Sequence, residues 1–178
     1  IPEAGPVEPN PPFHPQTAFQ EAVAHYTAGR LDKAERLYHQ LLRADPQYAN
    51  ALHLLGVIAF QRDNSEVAIG LISQAIEIIP TFPSYHCNLG NVYSKMGRLD
   101  EAVASFRTTI EFNPHYAEAY YNLANILKEQ KKFDKAVEAY HRVIELQPSY
   151  AEAYYNLANI TSDLGKFDDA ITSYRQAV

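Results

Sequence analysis

The chain has very little of several features, and each shortage excludes a class of protein. Its 178 residues include one cysteine and no tryptophan, so Cys87 has no partner for an intrachain disulfide. No apolar stretch approaches the ~20 residues that are needed to span a bilayer. The net charge is −6 and Lys and Arg form no run, which argues against binding to nucleic acid or to an anionic membrane. We therefore expect neither of these among its partners.

Signatures of catalysis and of metal binding are missing as well. The sequence has no glycine-rich phosphate loop, no G-x-S-x-G elbow and no H-E-x-x-H motif. The seven histidines are scattered without the spacing of ligand pairs, and Cys87 is interpreted as a small filler on a helix face. We expect no catalytic residue, no cofactor and no metal, and we expect a cytoplasmic protein.

What the sequence does contain is a repeat with a period of 34 residues. The ten residues AEAYYNLANI occupy 117–126 and recur unchanged at 151–160. Prolines, small residues and large residues keep the same spacing. These series are Pro46, Pro80, Pro114 and Pro148; Ala34, Ala68, Ala102, Ala136 and Ala170; and Tyr38, Ile72, Phe106, Tyr140 and Tyr174. A fixed period of this length indicates a stacked array of repeats rather than one globular core.

Within each unit the pattern predicts two helices. With Ala117 as position 1, positions 4, 7, 8 and 11 are apolar, which is the spacing of one helix face. A second stripe follows Asp134, whose carboxylate we expect to cap the second helix by accepting bonds from its first N–H groups. Asp32, Asp100 and Asp168 hold the same position. The second helix should end before Pro148, because proline lacks an N–H group. Small residues at positions 8 and 20 predict a close antiparallel pair.

On these residues the chain resembles the tetratricopeptide repeat, whose pattern has Leu at position 7, Gly or Ala at 8, Ala at 20, an aromatic at 24 and Pro at 32. The resemblance implies an all-α, right-handed superhelical solenoid of stacked antiparallel helix pairs. It covers 15–178 and leaves 1–14 as a proline-rich segment, which is a linker, a processed end or an added, non-native piece. The repeats are 15–48, 49–82, 83–116, 117–150 and an incomplete 151–178. Glu21 at position 7 and His25 at position 11 leave the packing of the first helix open.

The carboxyl end of the array has an apolar face with nothing to cover it. Val178 falls inside the second helix of repeat five, where Ile171, Tyr174 and Ala177 share one side. Repeat arrays usually finish with a polar capping helix. We interpret the chain as a piece of a longer protein, and homo-oligomerisation through this end or through an apolar part of the groove is an alternative.

For this family the functional surface is a concave groove lined by the first helix of each repeat. Helix geometry places positions 2, 6, 9 and 13 on one stripe, with 5 and 12 on its border. In repeats three to five the stripe carries a row of asparagines, flanked by two tyrosines. These candidates are Asn88, Asn122 and Asn156 at position 6, Asn91, Asn125 and Asn159 at position 9, and Tyr121 and Tyr155. The amino-terminal end is instead apolar, with Phe19, Val23, Tyr26, Leu54, Val57 and Phe60.

Asparagine costs roughly 0.5 kcal/mol in a helix relative to alanine, so six on one face need an explanation. A side-chain amide both donates and accepts, and a row of amides can bind the backbone of an extended peptide of any sequence. Position 6 is the better candidate for ligand binding, and position 9 is better explained by structure. The alternative is that the amides record a recent duplication or bond to a neighbouring helix.

Asparagine at position 6 in successive repeats also resembles the arrays of O-linked N-acetylglucosamine transferases, where such a row holds protein substrates. The stretches ALHLLGVIAFQ at 51–61 and CNLGNVYSKMGRLDEA at 87–102 look like bacterial arrays that precede a glycosyltransferase domain. Leu54 and Gln20 depart from this pattern in repeats two and one. A carboxylate clamp of the chaperone-adaptor type is not expected, because Glu152 would repel a peptide carboxylate.

We therefore predict an interaction module that binds an extended peptide or a partner protein in its groove, as part of a larger transferase-like protein. The alternative is a free-standing scaffold that assembles a complex or associates with itself.

Overall fold

The computed structural model describes residues 14–177, and within that range the chain forms ten α-helices. Odd-numbered and even-numbered helices are the first and second helices of the five repeats. They are α1 (Pro15–Thr27), α2 (Leu31–Ala44), α3 (Ala49–Gln61), α4 (Ser65–Ile78), α5 (Pro83–Lys95), α6 (Leu99–Phe112), α7 (Ala117–Glu129), α8 (Phe133–Leu146), α9 (Ala151–Asp163) and α10 (Phe167–Gln176). Each second helix also contacts the first helix of the next repeat. The predicted all-α solenoid of stacked helix pairs is confirmed. The proline-rich segment predicted at 1–14 lies outside the described residues, apart from His14.

The close approach predicted at positions 8 and 20 is present in every repeat. Position 20 is alanine five times and position 8 is glycine or alanine, and all ten residues are buried. In repeat two, a Cβ added to Gly56 would lie 3.2 Å from the carbonyl oxygen of Ala68. In this repeat, therefore, even a methyl group at position 8 would require Ile72 and the backbone of Ala68 to shift.

Two more positions of the first helix are buried, and the periodic pattern did not include them. Tyr85 at position 3 and Ile160 at position 10 are both essentially inaccessible to solvent. Ile160 packs with Tyr140 and Val143 from the second helix of the preceding repeat. The core therefore continues from repeat to repeat, and each first helix keeps only a narrow third face for solvent or a ligand.

The turn between the two helices of a repeat places one residue in the left-handed region at position 15. The residues and φ angles are Gly29 (70°), Asp63 (61°), Gly97 (72°), Lys131 (57°) and Gly165 (74°). This residue closes the first helix, as when Arg30 N–H donates to the carbonyl oxygen of His25 at 2.9 Å. The turn is short, so the second helix begins at once.

The prediction that aspartate caps the second helix is wrong. The helix begins two residues earlier than expected, at Leu31 in repeat one and at Phe133 in repeat four, so Asp32 and Asp134 are second helical residues. The capping positions hold other residues, with no side-chain cap bond. The carboxylates lie in the first helical turn, where the helix dipole favours negative charge. Asp100 and Asp168 occupy the same place.

Two other local expectations can be compared with the structure. The helix before Pro148 ends at Leu146, as predicted. The first helix of repeat one, whose packing was left open, is regular from Pro15 to Thr27, although Glu21 at position 7 is exposed. Across the described part of the chain, no helix is both long enough and apolar enough for a membrane crossing.

Candidate functional site

The first helices of successive repeats lie side by side and contact one another, α3 with α5 and α5 with α7. Among the described helices, successive second helices make no contact of that extent. Because a stack curves toward its more closely spaced row, the shared face of the first helices is the concave side. The stripe of asparagines lies on this face.

The asparagines at position 6 are half-buried and each is bonded to the preceding repeat. Asn88 Nδ2 lies 2.7 Å from His53 Nε2, Asn122 Nδ2 donates to Asn91 Oδ1 at 2.8 Å, and Asn156 Nδ2 donates to the Tyr121 hydroxyl at 3.2 Å. Each amide is therefore held by a bond that crosses from one repeat to the next.

The acceptor side of these amides differs along the row. Asn156 Oδ1 accepts from Lys128 Nζ at 2.7 Å. Within residues 14–177, the Oδ1 atoms of Asn88 and Asn122 accept no hydrogen bond. These two amides combine a fixed orientation with an available acceptor on the concave face.

His53 is a site residue that the sequence did not reveal. Its ring is buried at position 5 and stacks on Tyr85 with 4.6 Å between ring centroids. Burial lowers the pKa of His53 to about 4, so the ring is neutral at pH 7 and its Nε2 accepts from Asn88 when Nδ1 carries the proton. The sequence signal for this burial is the position of His53 in its repeat. It occupies position 5, where the next repeat has Cys87, which is also buried.

The asparagines at position 9 follow a different rule. Asn125 Oδ1 accepts from the Tyr140 hydroxyl at 2.5 Å, and Asn159 Oδ1 accepts from the Tyr174 hydroxyl at 2.6 Å. Each of these bonds joins the two helices of one repeat, so both amides have a structural role. Asn91 has no such partner, because position 24 of its repeat is phenylalanine.

Repeat one shows the opposite mismatch. Its position 24 is Tyr38 and its position 9 is Val23, which offers no acceptor. The Tyr38 hydroxyl is buried and has no hydrogen-bond partner among the described residues. Burial raises the pKa of Tyr38 to about 12.

Three of the six asparagines converge on one cleft between α5 and α7. The cleft has a volume of about 260 Å³ and is lined by Asn91, Ser94, Lys95, Phe106, Asn122 and Asn125. Asn88, Asn156 and Asn159 do not line it. The row is therefore not uniform, and the cleft lies where repeats three and four meet.

The two flanking tyrosines have different environments. Tyr121 is half-buried, with its ring centroid 4.9 Å from that of Tyr150 and 6.0 Å from that of Tyr140. Tyr155, its equivalent in repeat five, is 55% exposed. Asn156 of repeat five bonds to the Tyr121 hydroxyl, whereas the described residues include no sixth repeat that could contact Tyr155 in the same way.

The apolar residues predicted for the amino-terminal end of the groove are half-buried in the stack. This holds for Phe19, Val23, Tyr26, Leu54, Val57 and Phe60. Phe19 packs 5.4 Å from Tyr48 between ring centroids, and the Tyr26 hydroxyl accepts from Gln61 Nε2 at 3.0 Å. Much of their surface is therefore already used within the array.

The chemistry of the groove is that of amides, hydroxyls and paired charges. Burial raises the pKa of the Cys87 thiol to about 12, so it remains a neutral thiol at pH 7. Across residues 14–177, no three His, Cys, Asp or Glu side chains are placed together to bind a metal ion.

Comparisons with known proteins agree with this architecture. Models of the tetratricopeptide repeat match residues 19–83, 83–116, 117–150 and 139–172. The crystal structure of MamA shares 26% identity at a TM-score of 0.79, covering 88% of this chain and 91% of that one. PilF of Pseudomonas aeruginosa is 17% identical, with a TM-score of 0.86, and the match covers 92% of this chain and 74% of PilF. YrrB, described as a TPR protein with an unusual peptide-binding site, is 20% identical, with a TM-score of 0.72. The match covers 90% of this chain and 82% of YrrB. At such identities PilF and YrrB support the fold alone.

Proposed function

Because the chain belongs to the tetratricopeptide repeat family, we propose that it binds an extended peptide, or an extended segment of a partner protein, along its concave face. The observation that carries this proposal is the pair of oriented amides at position 6. Asn88 and Asn122 are each held by the preceding repeat and each keep an acceptor available within the described part of the chain. A peptide backbone offers the N–H groups that such acceptors need.

The spacing of the row suits an extended chain. Packed helices lie roughly 8 to 10 Å apart, and an extended peptide advances roughly 3.3 Å per residue. One amide per repeat therefore meets about every third peptide residue. Because the amides are already fixed by bonds within the protein, little side-chain freedom is lost on binding. YrrB, which has the same fold, is described as having a peptide-binding site, and this supports peptide binding as a function of such arrays.

The test compares two triple substitutions. Changing Asn88, Asn122 and Asn156 to alanine should preserve helicity, because alanine is the better helix former. It should weaken the binding of unstructured nonapeptides of random sequence by about ten-fold or more, because each hydrogen bond contributes ~1 kcal/mol. Binding is measured first on a peptide array and then by calorimetry. Unchanged peptide affinity would contradict the proposal.

The control changes Asn91, Asn125 and Asn159 to alanine. Two of these residues accept bonds from tyrosine hydroxyls within their own repeats, from the buried Tyr140 and from the exposed Tyr174. We expect this triple to lower the free energy of unfolding, which separates a loss of stability from a loss of ligand.

We further propose that the array presents peptides to a glycosyltransferase domain in the cytoplasm. The supporting observation is asparagine at position 6 in three successive repeats, the pattern that resembles O-linked N-acetylglucosamine transferase arrays. Reading the codons after Val178 tests it: a transferase domain would agree, and a stop codon after a polar helix would contradict it. Fractionation of cells that express the full-length protein tests the location.

A scaffold that associates with itself is the second candidate, and one observation favours it. Phe167 is 64% exposed and Ile171 48% exposed on the last helix. Their equivalents in repeat four, Phe133 and Val137, are partly buried against the core that includes α9. Repeat five covers this face of repeat four, and the equivalent face of repeat five is exposed to solvent.

A further inference from the structure

Repeat three departs from its neighbours at position 24. Repeats four and five have tyrosine there, and its hydroxyl donates to the asparagine at position 9. Repeat three has Phe106, which is fully buried against Gly90. A Cβ added to Gly90 would lie 2.7 Å from Phe106 Cε1, so the ring lies directly on the backbone of α5. Without a hydroxyl from Phe106, Asn91 bonds to the next repeat instead.

A carboxylate determines the orientation of two amides at this point. Glu118 Oε1 can only accept, so it is the Nδ2 of Asn91 that faces it, at 3.2 Å. The Oδ1 of Asn91 therefore faces Asn122 and accepts from its Nδ2 at 2.8 Å. As a result the Oδ1 of Asn122 is turned away from Asn91 and accepts no bond from any described residue.

The cleft also contains donors, from Asn125 on α7 and from Ser94 on α5. Asn125 uses its Oδ1 to accept from Tyr140, so its Nδ2 group is the part left for a ligand. Neither this Nδ2 nor the Ser94 hydroxyl has a hydrogen-bond partner among residues 14–177. The cleft thus combines one available acceptor with two available donors.

The charged side chain that lines the cleft, Lys95, is already paired. Lys95 Nζ is bonded to Asp63, and it lies 5.1 Å from the centroid of the Phe60 ring. Glu118, on the other side, is bonded to Asn91. A carboxylate entering the cleft would therefore find no uncompensated cation among the lining residues, and the carboxylate of Glu118 lies outside that lining.

We propose that this cleft is a subsite for a primary amide side chain, glutamine or asparagine, of a bound peptide. An amide oxygen can accept from Asn125 Nδ2 and Ser94, while its N–H group donates to Asn122 Oδ1. A carboxylate has no hydrogen for Asn122, an ammonium has no acceptor for Asn125, and an aliphatic side chain leaves all three groups unpaired. The inference rests on the proposed function, because it names a residue preference within the same groove.

The experiment measures residue preference on an array of random nonapeptides. The wild-type protein should retain peptides that have glutamine or asparagine at one fixed position. Phe106→Tyr recreates the arrangement of repeats four and five, in which the new hydroxyl donates to Asn91 and occupies part of the cleft. We expect it to reduce the preference for glutamine over leucine about five-fold or more, with little change for peptides that lack an amide side chain.

The control variant Asn88→Ala separates the subsite from the groove. Asn88 lies outside the cleft, so its loss should weaken all peptides alike and leave the residue preference unchanged. A preference for aspartate or glutamate, or a preference unaffected by Phe106→Tyr in a variant that unfolds at the wild-type temperature, would overturn the subsite alone. If the wild-type protein retains no peptide, both the subsite and the proposed function are wrong.

Discussion

At the residue scale, one hydroxyl group decides what a neighbouring amide does. Tyr140 and Tyr174 hold the asparagines of their own repeats, whereas Phe106 leaves Asn91 to bond across to α7. A difference of one oxygen atom thus converts an amide with a structural role into part of a cleft. Tyr38 shows the reverse case, a hydroxyl whose acceptor is missing among the described residues.

Replacing these tyrosines by phenylalanine should therefore have opposite effects. Tyr38→Phe removes a buried hydroxyl that has no hydrogen-bond partner among residues 14–177, and it should leave the free energy of unfolding unchanged or raise it by up to about 1 kcal/mol. Tyr140→Phe breaks the bond to Asn125 and should lower it by about 1 kcal/mol. Urea unfolding of both variants measures the two changes. An equal loss of unfolding free energy in both would contradict the prediction that the bond from Tyr140 to Asn125 adds stability.

His53 should make stability depend on pH in a defined window. Its pKa is about 4 in the folded protein and near 6.5 when unfolded, so between these values the unfolded chain binds more protons. Stability should therefore be full above about pH 6.5 and fall as the pH decreases toward 4, by up to roughly 3 kcal/mol. Protonation would also remove the acceptor for Asn88.

The control for this prediction is His53→Gln, which keeps polar atoms at the site but does not titrate in this range. Urea unfolding of both proteins from pH 4 to pH 8 isolates the histidine, because the other titrating groups are common to both. Parallel curves would contradict the assignment.

At the scale of the element, each first helix is packed on two sides and exposed on a third. One side faces the second helix of its own repeat through position 8, and the other faces the preceding repeat through positions 3 and 10. Two glycines show how closely the two helices of one repeat pack on the first of these sides. A Cβ at Gly56 would lie 2.6 Å from Ile72 Cγ1, whereas Gly70, on the second helix, has nothing within 4 Å.

Alanine at these two positions should separate packing from helix propensity. Gly70→Ala should raise the free energy of unfolding by about 0.5 to 1 kcal/mol, because glycine is the poorer helix former. Gly56→Ala gains the same propensity but forces Ile72 and the backbone of Ala68 to shift, so we expect a net loss of about 1 kcal/mol. Thermal and urea unfolding provide the readout. A similar gain in both variants would mean that the helices separate at little cost.

At the scale of the whole molecule, stability comes from contacts between neighbours, and the two ends of the described stack differ. The exposed side of α1 carries Thr17, Glu21 and Ala24, which are small or polar. The exposed side of repeat five carries Phe167 and Ile171. Only the second end presents large apolar side chains to solvent.

Changing Phe167 and Ile171 to serine should therefore reduce self-association at high protein concentration and cost little stability. The matched substitution in repeat four, Phe133 and Val137 to serine, removes partly buried side chains and should lower the free energy of unfolding by about 2 kcal/mol or more. Sedimentation velocity and urea unfolding measure the two effects. A wild-type protein that stays monomeric at every concentration would contradict the self-association hypothesis.

The helix pairs, the close contact at positions 8 and 20 and the stripe of asparagines could all be predicted from the sequence. Each follows from periodicity within one chain segment, because residues three and four apart share a helix face whatever surrounds them. The end of the second helix before Pro148 is equally local. The error at Asp32 and Asp134 was also local, since a turn shorter than expected moved the helix start by two residues.

Which groups the stripe residues bond to could be decided only by the stacking of repeats. The burial of His53, the acceptor available on Asn122 and the unpartnered hydroxyl of Tyr38 all depend on side chains 15 to 35 residues away along the chain. Helical periodicity says which side of a helix a residue occupies, but it contains nothing about the rotation and spacing of the next repeat. Those are determined by packing at positions 3 and 10, so the chemistry of the groove is a property of neighbouring repeats together.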